Sequence, residues 1–452
     1  PALASQAKGL LHTEIVLFTE LRSACSTMSR SKVALLRTSP ATVLEDYHRL
    51  MNLAGYQDVI AKDADTGLKI NISWHFFYPA ASTTPWQLDG VIRAMKRDGY
   101  DPDLIHGCHN RTVVIDAHLG ERENKQVDVI NAHGLRNVHL YEGEDWIHIR
   151  DAVGDLADDF LVLNDVYKKG FSIPKRFIGE NIIHLPTVKT HIFTTTTGAM
   201  KNAFGGLLNE HRHWTHPVIH ETLVDLLMIQ KKIHRGVFAV MDGTFVGDGP
   251  GPRCMVPHVK NVILASQDQV AIDAVAAKLM GFDPMRDLKF VRIAHELGLG
   301  CGDPRDIEIV GDQEAAEMNW HFDGPFKNMT FASRNQHRIY WGPLKKPLEW
   351  SLKTWLAPWS YVASVSYNDM FWYPMYGKTR VNDALMSEWG RLFANWNQVQ
   401  PDPEAKGFPD VGTENPELVR LGIKHFLEGL RLVGMAVTES PEVSAWQRQH
   451  AR

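Results

Sequence analysis

The alternation of apolar and polar positions gives the first outline of this chain. Lys32–Arg37 is a short apolar run between two cations and reads as the strand that opens the folded part, after an arm over residues 1–30. A helical pattern follows from Val43 to about Leu53 and is stopped by Gly55. A strand is expected around Leu68–Ile72. A helix then opens at Thr84-Pro85, where a hydroxyl cap precedes a proline suited to the first turn. This alternation continues to about residue 150 and predicts an α/β layer.

The middle third carries four nearly all-apolar runs: Phe160–Leu163, Asn181–Leu185, Gly236–Met241 and Asn261–Ala265. Runs of that kind fit strands covered on both faces. Helical spacing lies between them at Pro217–Ile233 and Gln269–Met280. The expected fold is therefore α/β, with mixed or mostly parallel sheets flanked by helices. Its expected parts are an α/β region over 31–150, a core α/β region over 151–312 that carries the site, and an extension over 313–452. That extension is irregular and aromatic-rich, holding nine of the 13 tryptophans. It is expected to pack on the core or on a sister subunit. The stretch Trp341–Tyr361, with Lys345, Lys346 and Lys353 among aromatics, has contact with a membrane surface as its less favoured reading.

Composition narrows the function classes. Of 452 residues, 44% are hydrophobic and 22% charged, as in a chain with a real core. A net charge of -5 supplies no general grip on nucleic acid. No run of eighteen apolar residues offers a membrane span. Cys25, Cys108, Cys254 and Cys301 form no Cys-x-x-Cys pair, so no intrinsic iron–sulfur cluster motif is present. Free thiols favour a cytoplasmic setting. The start at Pro1 leaves export after leader removal as the alternative.

Candidate chemistry gathers between His184 and Gly251. The segment from His184 to Gly206 combines Lys189, His191, Thr194–Thr197, Gly198, Lys201 and Asn202. Hydroxyls, backbone N–H groups and ammonium groups in that company suit a carboxylate or phosphate. Asp242, followed by a Gly/Pro loop that holds Asp248 and Arg253, is a candidate general base or metal ligand. The Gly-x-Gly-x-Gly run in that loop has no helix after it and is not a dinucleotide loop. His216 and His220, four apart at the expected start of a helix, are the candidate metal pair, although no carboxylate motif completes it. Expected strand ends place Asn164, Asp165, His184, Asp242, Ser266 and Asp268 along one edge.

The order of these motifs resembles the DUF362 family, a domain of unknown function. The resemblance rests on Pro186-x-x-Lys189-x-His191, Thr197-Gly198-x-x-Lys201-Asn202-x-Phe204-Gly205, Val240-Met241-Asp242-Gly243 with Gly249-Pro250, and Ala265-Ser266-x-Asp268-x-x-Ala271-x-Asp273. Gly281-x-Asp283-Pro284, Gly298-Leu-Gly300 and Ile307–Gly311 extend it, so that it covers about residues 32–312. The family is often joined to ferredoxin-like modules. The resemblance thus implies redox or anaerobic metabolism and an electron-transfer partner, although this chain lacks the cluster cysteines. It also reads Lys69-Ile70-Asn71 where many members show Lys-Pro-Asn, which leaves Lys69 and Asn71 as ligand-positioning residues.

Three functions follow as expectations. The first is an enzyme for a small anionic metabolite or cofactor. Lys189, Lys201 and the threonine hydroxyls hold the anion, while His191, His184 or Asp242 transfers protons, as in isomerisation, racemisation or redox beside a carboxylate. The second is a divalent-metal enzyme using His184, His191, His211, His213, His216 or Asp242. The third is a non-catalytic subunit, a homo-oligomer or part of a larger complex, docking through its aromatic last third.

Overall fold

The computed structural model describes residues 31–396 apart from 113, 209, 343–344 and 346–356. Its strands are β1 (Lys32–Arg37), β2 (Thr66–Ile70), β3 (Ile105–His109), β4 (Arg136–His139), β5 (Trp146–His148) and β6 (Ser172–Pro174). They continue with β7 (Asn181–Leu185), β8 (Thr187–His191), β9 (Thr195–Thr196), β10 (Gly236–Asp248), β11 (Val256–Ser266) and β12 (Glu308–Gly311). Ten of them form one sheet in the order β12-β1-β11-β10-β7-β2-β3-β4, with β8 joined to β10 and β9 to β8. From β10 through β7, β2 and β3 to β4 all neighbours are parallel. β11 runs against both β10 and β1. The fold is α/β with a mixed, mostly parallel sheet. Strands from before and after residue 150 share it, because β7 inserts between β2 and β10.

Six helices frame the site: α1 (Val43–Leu53), α2 (Pro85–Arg97), α3 (Ala117–Glu123), α4 (Ala199–Asn202), α5 (Ile219–Ile233) and α6 (Gln269–Met280). α1 ends where Gly55 takes φ 71°, a conformation that favours glycine. α2 opens as its sequence predicts, with the Thr84 hydroxyl accepting from the Gln87 N–H ahead of Pro85. Successive strand residues divide between two cores. Ala34, Leu36, Val240 and Ile263 face α1 and α2, whereas Val33, Leu35, Met241 and Leu264 face α5 and α6. Both faces are covered, so the strands read as unbroken apolar runs.

The described part of the aromatic extension closes the α1–α2 side. Trp389 and Trp396 pack on Trp86, Trp372 on Trp74, and Phe393 stacks on Phe77 at 3.7 Å. The Trp389 indole N–H donates to Asn261 Oδ1 at 2.7 Å. The Trp74 indole donates to the buried Asp369 at 2.8 Å. Trp350, Trp355, Trp446, Lys346, Lys353 and Cys25 lie outside the described residues, as does the arm over 1–30. Among the described residues no helix is long and apolar enough to cross a membrane. Cys108, Cys254 and Cys301 are free thiols.

Three local expectations are corrected. Phe160–Leu163 is not a strand. The N–H groups of Leu161, Val162 and Leu163 turn onto the carboxylate of Asp225 in α5 at 2.7, 3.0 and 3.0 Å. A long-range carboxylate thus satisfies the donors that a sheet partner would have taken. Asn164 and Asp165 therefore do not end a strand. Asp242 does not end one either, because β10 runs on to Asp248 across a bulge between Gly243 and Phe245. His216 and His220 do not share a helical face. His216 lies in a 3₁₀ stretch, Glu210–Val218, and α5 starts only at Ile219.

Candidate functional site

β2, β3 and β4 step outward in one direction, and the chain then returns to lay β7 and β10 on the other side of β2. The strand order reverses between β2 and β7. In an open α/β sheet, the crevice beyond the carboxyl ends of the strands at such a switch point is where ligands bind. Lys69 and His184 are register partners across this junction, with Cys108 next to Lys69 on β3. Asn71 follows β2 directly. β8 continues from β7 and carries Lys189 and His191 to the same place, since the Lys189 ammonium donates to Asn71 Oδ1 at 2.7 Å.

Lys189 is buried and held from all sides. Its Nζ also donates to Ala81 O at 2.5 Å and Thr187 Oγ1 at 3.0 Å, with Ser73 Oγ at 3.3 Å. Burial first, and then the charge of Lys201, push it well below the usual lysine range. Lys69, also buried, donates to Ile70 O at 2.8 Å, and burial brings it down to about 8. Lys201 sits at 5.2 Å over the ring of Phe204, a ring that Arg212 approaches to 6.0 Å. Burial and the Arg212 charge lower Lys201 to about 8 as well. The His191 Nδ1 accepts from the Phe193 N–H at 3.1 Å. Burial first, and then Lys201, with His216, Lys189 and His220 contributing less, push that imidazole well below the usual histidine range. The ionisable groups that act on Lys189, Lys201 and His191 are thus other basic side chains.

His184 is locked as a neutral ring. Its Nε2 faces Gln230 Oε1 at 2.5 Å, and the Asn202 amide faces its Nδ1 at 3.4 Å, which assigns the ring proton to Nε2. Burial lowers its pKa to about 4. The same Asn202 amide donates to Lys69 O at 2.8 Å and so ties α4 to β2. Lys69, His184 and Gln230 line a small pocket together with Phe177, Gly205 and His234.

Other candidates are directed elsewhere. The N–H groups that open α4 after Gly198 do not await a ligand. Asp273 of α6 accepts from Ala199 and Met200 at 2.6 and 3.1 Å, and its carboxylate fills the space where a Cβ on Gly198 would lie. Thr194 donates to Thr196 O at 2.6 Å, and Thr197 turns to the carbonyls of Thr187 and Lys189. Asp242 is buried beneath α1 and α2. Its Oδ2 accepts from Tyr47, Trp86 and Thr84 at 2.8, 2.9 and 3.1 Å, and its Oδ1 from the Thr244 N–H and hydroxyl at 3.0 and 2.7 Å. Asp248 accepts from the Asp323 and Gly324 N–H groups, and Arg253 donates to Ser364 at 2.9 Å. Both anchor the extension. Asp268 caps α6 through Val270 and Ala271. His216 lies among the rings of Phe193, Phe204 and Tyr340, and His220 stacks on Phe290.

Among the described residues, the groups of three ligand-type side chains lie elsewhere on the same edge: His109, Glu121 and His139, and His118, His139 and Glu142. The sequence reading passed over them, as it did Gln230, Ser73 and Arg212. The signal lay in two strands that each end on histidine, Ile105–His109 and Arg136–His139, with a His118-x-x-Glu121 pair on the helix between them.

Residues 66–278 match the sequence profile of DUF362, a domain of unknown function. The chain carries a DUF362 domain. The matched stretch runs from β2 into α6 and includes Lys69, Lys189, His191 and Lys201 as well as the His109–Glu121–His139 group. A Synechocystis protein named thylakoid-associated protein sll1697 is 27% identical over 106 residues, 23% of this chain and 33% of that protein. The match therefore spans about a third of that relative's own length. No solved structure matches the chain.

Proposed function

We propose that the DUF362 domain is an enzyme that binds a small anionic metabolite or cofactor at the β2–β7 switch point. The observation that carries the reading is the company of Lys189, Lys201 and His191. Lys189 and His191 are buried and Lys201 is partly so, and the ionisable groups acting on Lys189 and Lys201 are basic, with no carboxylate among them. Burying a cation costs several kcal/mol unless an opposite charge joins it. An anion in the crevice would supply that charge and raise the pKa of Lys69 and Lys201 back toward the usual lysine range. Lys69 and Lys201 are its expected ligands. Lys189 is already engaged with Asn71, Ala81 and Thr187 and positions the Asn71 amide. The neutral His191, pressed by the Lys201 charge, is the group poised to move a proton beside a bound carboxylate or phosphate. Asp242 and the threonine hydroxyls drop out of these roles because their partners are internal.

The test is thermal unfolding with inorganic phosphate, pyrophosphate and a panel of small carboxylates. At least one anion should raise the Tm of the wild-type protein in a concentration-dependent way. Lys201→Met should abolish the rise while the protein stays folded. If no anion shifts the wild type, or the variant retains the shift, the reading is wrong.

The docking alternative relied on the aromatic last third. Of its tryptophans, Trp372, Trp389 and Trp396 are buried within the chain, whereas Trp359 is exposed, as are Phe371, Met375 and Tyr376.

A further inference from the structure

The parallel register of β3 and β4 sets His109 opposite His139 at the carboxyl edge of the sheet, one strand beyond the lysine crevice. Between them α3 presents Glu121. Its Asp116 cap accepts from Leu119 at 3.0 Å and fixes the start of that short helix over the strand ends. Glu121 Oε2 lies 2.8 Å from His109 Nε2 and 3.2 Å from His139 Nε2. The ligand atoms of the three residues all fall within 4.8 Å of one another. In a tetrahedral site with bonds of ~2.0 Å, ligand atoms stand about 3.3 Å apart, so the His139 contact has the spacing that one shared ion imposes and the shorter His109 contact would open by about 0.5 Å to admit it.

The surroundings fit a metal better than a plain ion pair. A single carboxylate of Glu121 faces three imidazoles, with His118 Nδ1 at 3.5 Å, and it accepts from the Asn137 amide at 2.6 Å. His109 and Glu121 are buried, and the Nδ1 of His109 has no partner inside the protein. Two imidazoles and a carboxylate, with an amide steadying the carboxylate, are what a divalent cation asks of its ligands. His118 and Glu142, 2.7 Å apart and half exposed, stand at the solvent side, where an entry path is needed.

We propose that His109, Glu121 and His139 bind one divalent transition-metal ion, with its remaining coordination positions open toward His118 and Glu142. Two imidazoles and one carboxylate suit Zn(II), Fe(II) or Co(II) and not Mg(II) or Ca(II), which prefer all-oxygen sites. The site does not depend on the anion crevice, and its test reads metal content alone.

The test uses the untagged full chain, stripped with chelator, equilibrated with Co(II) or Zn(II) and desalted. The wild type should retain about one equivalent, and the Co(II) form should show a visible ligand-field spectrum. His109→Gln and the isosteric Glu121→Gln should each lower retention at least tenfold while circular dichroism stays that of the wild type. His220→Gln should retain the metal. An unloaded wild type overturns the proposal. So do His109→Gln and Glu121→Gln proteins that bind as the wild type does, or a loss confined to His118→Gln, which would assign the ion to the exposed His118–Glu142 pair. Should His109→Gln fail to fold, the Co(II) spectrum of the wild type against Glu121→Gln still decides.

Discussion

Asp242, fully buried, and Lys201, partly buried, are ionisable groups on opposite sides of one sheet, and they are treated in opposite ways. Around Asp242 the protein gathers the Tyr47 and Thr84 hydroxyls, the Trp86 indole and both donors of Thr244. Every lone pair is used, and no group there awaits a partner. Around Lys201 it gathers Arg212, Lys189, His191 and His216, which repel it or are repelled by it. A buried group surrounded by partners is part of the architecture. Buried groups of one sign, crowded at a switch point, are an arrangement that a ligand of the other sign completes.

The largest effect that breaks this comparison is on the Asp242 side. Asp242→Ala should destabilise the protein by about 3 kcal/mol or more, because four side-chain donors lose their acceptor together. Urea unfolding would measure it. A loss below about 1 kcal/mol would mean that the donors find other partners and that Asp242 is not the tie between α1, α2 and β10.

On the other side the sign reverses. Lys201→Met keeps the length of the side chain and removes the repulsion, so the ligand-free protein should be as stable as wild type or more stable, by about 1 kcal/mol. Anion binding should meanwhile fall at least tenfold. Loss of stability and binding together would place Lys201 in the architecture beside Asp242.

pH sharpens the contrast further. In the unfolded chain Lys69 and Lys201 keep their protons to about 10.5, whereas in the fold they release them near 8. Unfolding therefore takes up protons between those values, and the stability of the ligand-free protein should rise with pH from about 8 toward 10. Anion binding needs the protonated lysines and should weaken over the same interval. Thermal unfolding across pH 7–10 should give a smaller slope with phosphate than without, so that the two curves converge as the pH rises. Parallel slopes would detach the lysines from the anion.

Much of the fold was legible because it obeys local rules. Helix α6 runs over Gln269–Met280 as its spacing predicts, and the Thr84-Pro85 pair opens α2. The misread elements share a cause, a polar partner distant in sequence. Asp225 takes the N–H groups of Leu161–Leu163, and Asp273 takes those that follow Gly198. Within the site, the lysines and His191 were visible as a dense local motif. His109, Glu121 and His139 were not, because only the parallel register of two strands and the fold of α3 over them unite residues that local spacing leaves apart.

The smallest expected effect separates the threonine loop from the lysines. Thr197 offers its hydroxyl to Lys189 O at 3.3 Å and Thr187 O at 3.5 Å, long contacts to carbonyls that β-strand pairing and Lys189 already order. Thr197→Val keeps the shape and removes the hydroxyl. It should cost less than about 1 kcal/mol of stability and leave anion binding within about twofold of wild type. A threonine that touched the anion would behave differently, since losing a hydrogen bond to a charged ligand costs about 1.5–3 kcal/mol and would weaken binding more than tenfold. Phosphate titration of this variant beside Lys201→Met thus decides whether the crevice holds its anion by charge alone or by charge and hydroxyls together.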